Sequence, residues 1–485
     1  MTTIPLERIV AALRQAGLLA EVTGTLPAQV AVLTDDSRHV VANGLFIAVR
    51  GSARDGHEFL AQAQSAGAVA AIVEDAGRTS LPSIVVREGR RAAAIAAAAA
   101  FDDPAKQLRL AAVTGTNGKT TVAGILRHLL DKPEARSASI GTLGILLGSE
   151  GGPVAGGPTL TTPGPVELQR ALRALVDRGV RTVAMELSSH SLDQKRAETL
   201  VFEAGVFTNL TRDHLDYHET MEAYLEAKSR LIAQIGPKGA AVVNIDDSAW
   251  DRLPHAHTRI TFGRNPDAMV RAESVLFQPR GSEWLLVADN QRHALQLPLI
   301  GDFNVSNALG AAGAAWHLGM TLSTIAARLR TVPQVAGRLE VIHERPTVLR
   351  DYAHTPDALE RSLAAVRPFA RKKLFVIFGA GGDRDRGKRP LMGAIAEQGA
   401  DVVIVTSDNP RNEEPRVILE DIERGMRLQN HEIIEDRRDA IERALALAGA
   451  EDVVLLAGKG HETYQVRGTT YHPFDEKAIV AELTA

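Results

Sequence analysis

A chain of 485 residues, 45% apolar and 24% charged, has the balance of a soluble globular protein and the length for about three domains at roughly 100–200 residues each. A formal net charge of −4 without any Lys/Arg block excludes a nucleic-acid footprint, and the lack of cysteine removes disulfides, thiolate metal sites and cysteine nucleophiles. No stretch reads as a signal peptide or a membrane span, so a cytoplasmic protein with neither membrane nor nucleic-acid partner is expected.

Taken in chain order, the N-terminal third alternates short apolar runs, at 44–49, 68–73 and 83–86, with small-residue helices. The alanine run 92–100, broken by Ile95 and flanked by Arg90, Arg91, Asp102 and Asp103, is too short for a bilayer and predicts a tightly packed helix. The polar stretch 101–107 marks a first domain boundary. A buried strand at 108–114 follows, then a Gly-rich turn and a helix from Lys119, with further strands at 182–186, 205–208 and 240–245. Pro333 and Gly337 mark a second boundary at 331–337, and the last third repeats the alternation with strands at 373–378, 402–406 and 452–457. Apolar strands alternating with helices predict an α/β protein whose parallel sheets are covered on both faces, with ligands bound at the carboxyl ends of strands. The expected domains are 1–104, 105–335 and 336–485.

The segment Thr114-Gly115-Thr116-Asn117-Gly118-Lys119-Thr120-Thr121 joins that strand to that helix. Glycines let backbone N–H groups approach a phosphate, and the helix N-terminus adds its positive dipole end. Lys119 can reach the outer phosphates and Thr120 can ligate Mg²⁺. An ordinary strand-to-helix turn is the weaker alternative. One departure stands out: Val113 occupies the position where the common phosphate loop has its first glycine.

Glu186 ends another strand and is well placed for a cation across from the loop. The segment 209–218, NLTRDHLDYH, adds two histidines and two aspartates, although alone it reads equally well as a solvated loop. Lys228 falls within an apolar helical stripe formed by positions 221, 224, 225, 231, 232 and 235. A desolvated lysine is a better nucleophile and can take up CO₂ to become an anionic carbamate, whereas helical geometry by itself favours a lysine that snorkels to water. Near the C-terminus, the strand at 401–406 ends in Ser407-Asp408-Asn409-Pro410-Arg411. Asp408 and Asn409 suit an ammonium group and Arg411 suits a carboxylate, while the isolated tetrapeptide also reads as an Asx-Pro turn with a surface arginine.

These motifs occur in an ordered set: DDSR (35–38), GTNGKTT, TTP (161–163), ELSSH (186–190), FTNL-RDHLDYH, GDFNVSN (301–307), GR (337–338), DYAHTPD (351–357), GGDRDRGKRP (381–390), DNPR (408–411) and GKGHE (458–462). The set resembles the Mur ligase family from about residue 36 to 462. The resemblance implies three α/β domains: an N-terminal UDP-binding domain, a central P-loop-type, mostly parallel domain that binds ATP, and a Rossmann-like C-terminal domain that holds the amino acid and closes over the others. It further implies an ATP-dependent acid–amino-acid ligase that adds meso-2,6-diaminopimelate to UDP-N-acetylmuramoyl-L-alanyl-D-glutamate through an acyl phosphate, in peptidoglycan precursor synthesis. Two Mg²⁺ ions and a carbamate on Lys228 are implied, and a monomer is expected.

By the same resemblance, Gly115 to Thr121 with Asn304, Arg338 and Asp351 surround ATP. Lys119, His214 and Lys228 are the catalytic set, and Thr120, Glu186, His214 and Lys228 hold metal. Ser37, Ser52, Ala53, Arg54, Thr161, Thr162, Ser188, Gln194 and Arg196 contact the UDP-linked substrate, and Arg384, Asp408, Asn409, Pro410, Arg411, Gly458 and Glu462 form the diaminopimelate pocket. Leu160 stands where some members have asparagine, so that contact is not carried over. Lysine-adding members lack the arginine at 411, and folylpolyglutamate-type ligases carry Gly-Ser where this chain has Thr120-Thr121. A dinucleotide-binding oxidoreductase is suggested by the run Gly379-Ala380-Gly381-Gly382, which lacks the third spaced glycine. A regulatory NTPase would need no amino-acid acceptor.

Overall fold

The computed structural model describes residues 3–51, 54–154, 160–278 and 280–485. Backbone contacts divide the chain into two compact units: residues 1–262 with 310–320, and residues 263–309 with 321–485. Among the described residues, no helix is long and apolar enough to cross a membrane.

Two larger sheets and a short antiparallel pair, Ile4–Pro5 with Gln29–Val30, build the first unit. The N-terminal sheet orders its strands Leu19–Thr23, Ser83–Val86, Ala68–Val73, Gly44–Ile47 and Val32–Thr34, parallel except for the first pair. The alanine-rich helix Gly89–Ala100 packs against the helices Leu6–Gln15 and Pro165–Asp177. Ala92–Ala94 and Ala96–Ala99 are buried there, because methyl side chains let neighbouring backbones approach closely.

The second sheet of this unit is centred on β1 (Arg109–Thr114), β2 (Val180–Glu186) and β3 (Phe202–Phe207), in the spatial order β2-β1-β3. Arg136–Gly141 flanks β2, and Ile235–Asn244 followed by Arg259–Gly263 extends beyond β3, all parallel. The central strands are buried on both faces, which explains their continuous apolar runs. The strand expected at 240–245 begins earlier, at Ile235. Its Gly-Pro-Lys-Gly stretch carries no strand propensity, and pairing of Phe202 with Ile235 across a register shift draws it into the sheet. Helix α1 (Lys119–Leu130) follows β1, and α2 (Met221–Ser229) begins at an N-cap where the Thr220 side chain accepts from Ala223 N.

In the second unit, a six-stranded sheet runs Glu340–Glu344, β4 (Thr347–Asp351), β7, β5, β6, His431–Ile433, where β5 is Leu374–Phe378, β6 is Val402–Val405 and β7 is Val453–Ala457. Only the first pair is antiparallel. The strands Val270–Gln278, Gly281–Ala288 and Gln291–Leu297 form an antiparallel meander. A fully buried ion pair, Arg437–Glu476 at 2.8 Å, joins the helices Arg437–Leu447 and Glu476–Leu483. Arg437 Nη2 also donates to Ala457 O at the end of β7, just before Gly458.

Candidate active site

The carboxyl ends of β2, β1 and β3 lie side by side in register, Glu186 opposite Val113 and Phe207 opposite Thr114. The loop after β1 is held by the segment after β3. Thr116 N donates to Asn209 O (2.8 Å), Asn117 N to Asn209 Oδ1 (2.9 Å) and Thr208 Oγ1 to Asn117 O (2.6 Å). Gly115 has φ +143, and a Cβ there would lie 1.9 Å from Thr208 Oγ1. Gly118, at φ +85, turns the chain into α1, so both glycines of the loop are required by conformation. Lys119 curls back over the loop, its Nζ donating to Gly115 O (3.0 Å) and Thr116 O (2.7 Å). Thr120 and Thr121 are buried in the first turn of α1.

Glu186 is 2% exposed and meets Thr120 directly: Thr120 Oγ1 donates to Glu186 Oε2 at 3.1 Å. Thr142, a residue the sequence does not single out, donates to the same carboxylate through its N–H (2.9 Å) and its hydroxyl (3.1 Å). A Cβ on the preceding Gly141 would lie 2.0 Å from Glu186 Oε1, so the carboxylate fills the space that glycine leaves.

Lys228 does not snorkel to water. It is 1% exposed, and its Nζ donates to Gly115 O at 2.7 Å, the carbonyl that Lys119 also uses. Burial, assisted by the charge of Lys119, pushes its ammonium well below the usual lysine range, with only Asp213 opposing. The ring of Tyr224, one turn earlier on α2, covers Nζ at 4.4 Å, and its hydroxyl lies 3.2 Å from Thr116 Oγ1. Tyr224 thus bridges the Gly-rich loop after β1 and Lys228, and its apolar-stripe position in the sequence gives no hint of this. His214, in a left-handed conformation at φ +53, joins the same cluster, with ring centroids 4.9 Å from His190 and 6.1 Å from Tyr224. Desolvation first, then the neighbouring His190, Lys119 and Lys228, lower its pKa, with Asp213 opposing.

The residues expected at the UDP-linked substrate fall into two groups. Thr161, Thr162, Ser188, Gln194 and Arg196 are brought together. Thr161 Oγ1 lies 3.1 Å from Thr142 Oγ1, and Thr162 Oγ1 donates to Glu186 O (2.8 Å) and accepts from Ser188 N (3.1 Å). Arg196 donates to Thr162 O (2.9 Å) and grips Gln194 Oε1 (3.0 and 2.7 Å). Ser37 and Arg54 lie instead between strands of the N-terminal sheet, Ser37 opening the short 3-10 helix Ser37–His39; its Oγ donates to Gln62 Oε1 (3.3 Å), and Arg54 is exposed. Ser52 and Ala53 lie outside the described residues.

The second unit gathers the other expected residues. Asp351, at the end of β4, is buried and accepts from Leu339 N (2.7 Å), Ala353 N (3.0 Å) and Ser362 Oγ (3.0 Å). Burial raises its pKa against the pull of Arg338, whose guanidinium lies 4.7 Å over the Tyr352 ring. Asn304 is buried in its own helix, donating to Ile300 O (2.7 Å) and accepting from Asn307 (2.9 Å). Asp408 and Asn409, expected to face an ammonium, are both buried in the segment that follows β6. The Asn409 amide is committed within the protein: Nδ2 donates to Glu462 Oε2 (2.9 Å), and Oδ1 accepts from Lys459 Nζ (3.1 Å) and Val466 N (2.9 Å). Lys459, fully buried, also pairs with Glu462 at 3.2 Å. Gly458 has φ +113, and a Cβ there would meet Asp408 Oδ2 at 2.5 Å. Arg411, at φ +52 after Pro410, donates from Nη1 to Gly382 O (2.7 Å), whereas Arg384 is exposed and donates to Asp383 O (3.2 Å).

The glycine run 379–382 has a reason other than a dinucleotide. A Cβ on Gly379 would meet Thr406 O at 2.1 Å, and one on Gly382 would meet Pro410 O at 1.8 Å. These two glycines admit the backbone of 406–410.

Three sequence models match the chain: "Mur ligase family, catalytic domain" at residues 29–116, "Mur ligase middle domain" at 113–315, and "Mur ligase, glutamate ligase domain" at 337–460. The chain is similar to UDP-N-acetylmuramoyl-L-alanyl-D-glutamate–2,6-diaminopimelate ligase of Geobacillus thermodenitrificans, 44% identical over 463 residues, spanning 93% of this chain and 94% of the relative. The protein of the same name from Geobacillus kaustophilus is 43% identical over the same shares. A solved structure of a UDP-N-acetylmuramoyl-L-alanyl-D-glutamate–2,6-diaminopimelate ligase matches with a TM-score of 0.69 at 32% identity, over 99% of both chains.

Proposed function

The chain belongs to the Mur ligase family, and on that premise we propose that it is the ATP-dependent ligase that adds meso-2,6-diaminopimelate to UDP-N-acetylmuramoyl-L-alanyl-D-glutamate in peptidoglycan precursor synthesis. The observation that carries the reading is 44% identity to a ligase of that name over nearly the whole of both chains. In the proposed division, residues 1–104 hold the UDP end, 105–335 bind ATP and 336–485 hold the amino acid. A cytoplasmic, monomeric enzyme follows from the same reading.

An amide bond forms from a carboxylate only after activation. The γ-phosphoryl group of ATP passes to the D-glutamate carboxylate to give an acyl phosphate; the incoming amine then attacks and phosphate leaves. The difficulty is bringing two anions together, so the work of the protein is positioning and charge stabilisation. The N–H groups of 118–120, at the start of α1, cradle phosphate while those of Thr116 and Asn117 stay bonded to Asn209, and Lys119 turns from its own loop carbonyls to the outer phosphates. Thr161, Thr162, Ser188, Gln194 and Arg196 hold the dipeptide end of the acceptor. Arg338, Asp351 and Asn304 serve ATP.

The residues fit a hard cation. Thr120 and Glu186 present two oxygens that already meet at 3.1 Å. Among the described residues, no three His, Cys, Asp or Glu side chains form a metal cluster, so a cation here relies on substrate oxygens, as Mg²⁺ with a nucleotide does. Lys228 fits carbamylation: it is a buried amine bonded to a carbonyl, kept below its usual pKa. Its carbamate together with His214 would supply the anionic and imidazole ligands for a second cation. Bound Mg²⁺ offsets the charge of triphosphate and carboxylate.

For the amino acid, Arg411 pairs with the distal carboxylate that distinguishes diaminopimelate from lysine, alongside Arg384, Asp408, Asn409, Pro410, Gly458 and Glu462. A pocket built for that carboxylate leaves the arginine unpaired when lysine enters. The test is ATP-dependent phosphate release by purified protein with Mg²⁺ and UDP-N-acetylmuramoyl-L-alanyl-D-glutamate, with meso-diaminopimelate and L-lysine in parallel. Turnover with diaminopimelate and little with lysine is expected. Turnover with lysine alone overturns the assignment of Arg411, and inactivity with both overturns the reaction.

A further inference from the structure

Glu413 has no role in the residue sets above, yet it sits at the junction of the two loops that carry Arg384 and Arg411. Its side chain is 10% exposed, and its oxygens are fully engaged. Oε1 accepts from Asp383 N (2.6 Å) and Arg389 Nη2 (2.9 Å); Oε2 accepts from Arg389 Nη1 (3.1 Å) and pairs with Arg386 Nη2 (3.0 Å). Arg389, wholly buried, has a second carboxylate partner in Asp421 (2.9 Å). Its charge is therefore already countered, and the bond that sets Glu413 apart from a plain counter-ion is the one to Asp383 N.

The two loops are closed on each other at further points. Gly382 N donates to Asn409 O (3.0 Å), and Asn412 Nδ2 donates to Asp383 Oδ2 (2.8 Å). A Cβ on Gly382 would lie 1.8 Å from Pro410 O. The Arg411 guanidinium takes its direction from this closure, because Nη1 donates to Gly382 O, the residue adjacent to the Glu413-bound Asp383. With one edge held, the remaining N–H groups point in a set direction, which a planar fork needs in order to meet a carboxylate in bidentate geometry.

We propose that Glu413 is a positioning residue for amino-acid selection: it locks the 381–384 loop to the DNPR turn and so fixes the orientation of the Arg411 guanidinium. This rests on the assignment of Arg411 to the distal carboxylate. Glu413 touches no substrate in this scheme; it acts through Arg411.

The experiment is a double-mutant cycle on the full chain. KM for diaminopimelate, KM for ATP and the melting temperature are measured for the parent, Arg411→Ala, Glu413→Ala and the double variant. Asn412→Ala, an exposed change that cuts the tie from the Asn412 side chain to Asp383, guards against a Glu413 variant that fails to fold, and Glu413→Gln, which keeps an acceptor for Asp383 N, tests conservative rescue. Expected are a rise of about tenfold in KM for diaminopimelate with Glu413→Ala at near-constant KM for ATP, partial recovery with Glu413→Gln, and a rise of about threefold with Asn412→Ala. The double variant should match Arg411→Ala alone. If Arg411→Ala leaves KM for diaminopimelate unchanged, the assignment of Arg411 fails and this inference with it. If Arg411→Ala raises that KM while the Glu413 and Asn412 variants do not, the inference fails and the assignment stands. Equal rises in both KM values with a lowered melting temperature and a silent Asn412→Ala also overturn it, because Glu413 is then only a structural counter-ion.

Discussion

Gly115→Ala tests the phosphate loop most directly. The new Cβ would sit 1.9 Å from Thr208 Oγ1 and 3.0 Å from Asn209 O, at φ +143. Thr208 cannot turn away cheaply, because its hydroxyl reaches both Thr114 O (3.2 Å) and Asn117 O (2.6 Å). Forcing an L side chain into this backbone region costs about 1–3 kcal/mol, and overfilling the packed contact about 1–3 kcal/mol more. If the loop bears that strain of about 2–6 kcal/mol, nucleotide affinity falls at least about 30-fold at 1.4 kcal/mol per decade. The carbonyl of the same residue would also shift under Lys119 and Lys228, which both donate to it. Titration of a fluorescent ADP analogue, paired with thermal melting, measures the effect. Adding Thr208→Ala removes the collision but not the backbone strain, so it should restore affinity only in part. Binding by Gly115→Ala within threefold of the parent would refute the reasoning, and so would full recovery in the double variant.

Tyr224→Phe removes the hydroxyl near Thr116 and keeps the ring over Lys228. It should lower kcat/KM for ATP by about 3- to 10-fold, the worth of one hydrogen bond of about 0.5–1.5 kcal/mol, with Tyr224→Leu lower still. Steady-state kinetics decide this, and equal losses in the two variants would mean that the ring contributes nothing. Glu476→Ala leaves Arg437 buried and uncompensated, which should cost about 3–5 kcal/mol of stability, whereas replacing both by methionine should be near neutral or stabilising. Chemical denaturation reads both, and a single-variant cost under about 1 kcal/mol would contradict the burial argument.

Much of the framework can be read directly from the chain because its strands are buried on both faces and stand out as continuous apolar runs. The runs at 68–73 and 83–86 coincide with the observed strands, and the helix from Lys119 begins where the Gly-rich turn ends. The start of the strand at Ile235 is not legible, since sheet pairing overrides Gly-Pro-Lys-Gly. Lys228 is half legible. The apolar stripe places it on the inner face of α2, but what keeps its amine from reaching water is the carbonyl of Gly115, 113 residues earlier. The grip of Thr142 on Glu186 spans 44 residues and has no local signal. The glycines at 379–382 mislead for a related reason: their cause is the backbone of a loop some 30 residues onward, and no spacing rule within the run shows it.

Those glycines limit how the proposed amino-acid pocket can change. At 379 and 382 any side chain would strike main-chain oxygen, so the floor under Arg411 is drawn in backbone and closed to variation by substitution. A library that seeks to redirect amino-acid choice should therefore leave 379 and 382 alone and vary the exposed Arg384 and Asn412, together with Arg411, whose guanidinium is held on Gly382 O. New specificity, in evolution or at the bench, has few positions through which to enter here, and two of the three that remain open, 384 and 411, carry the charge.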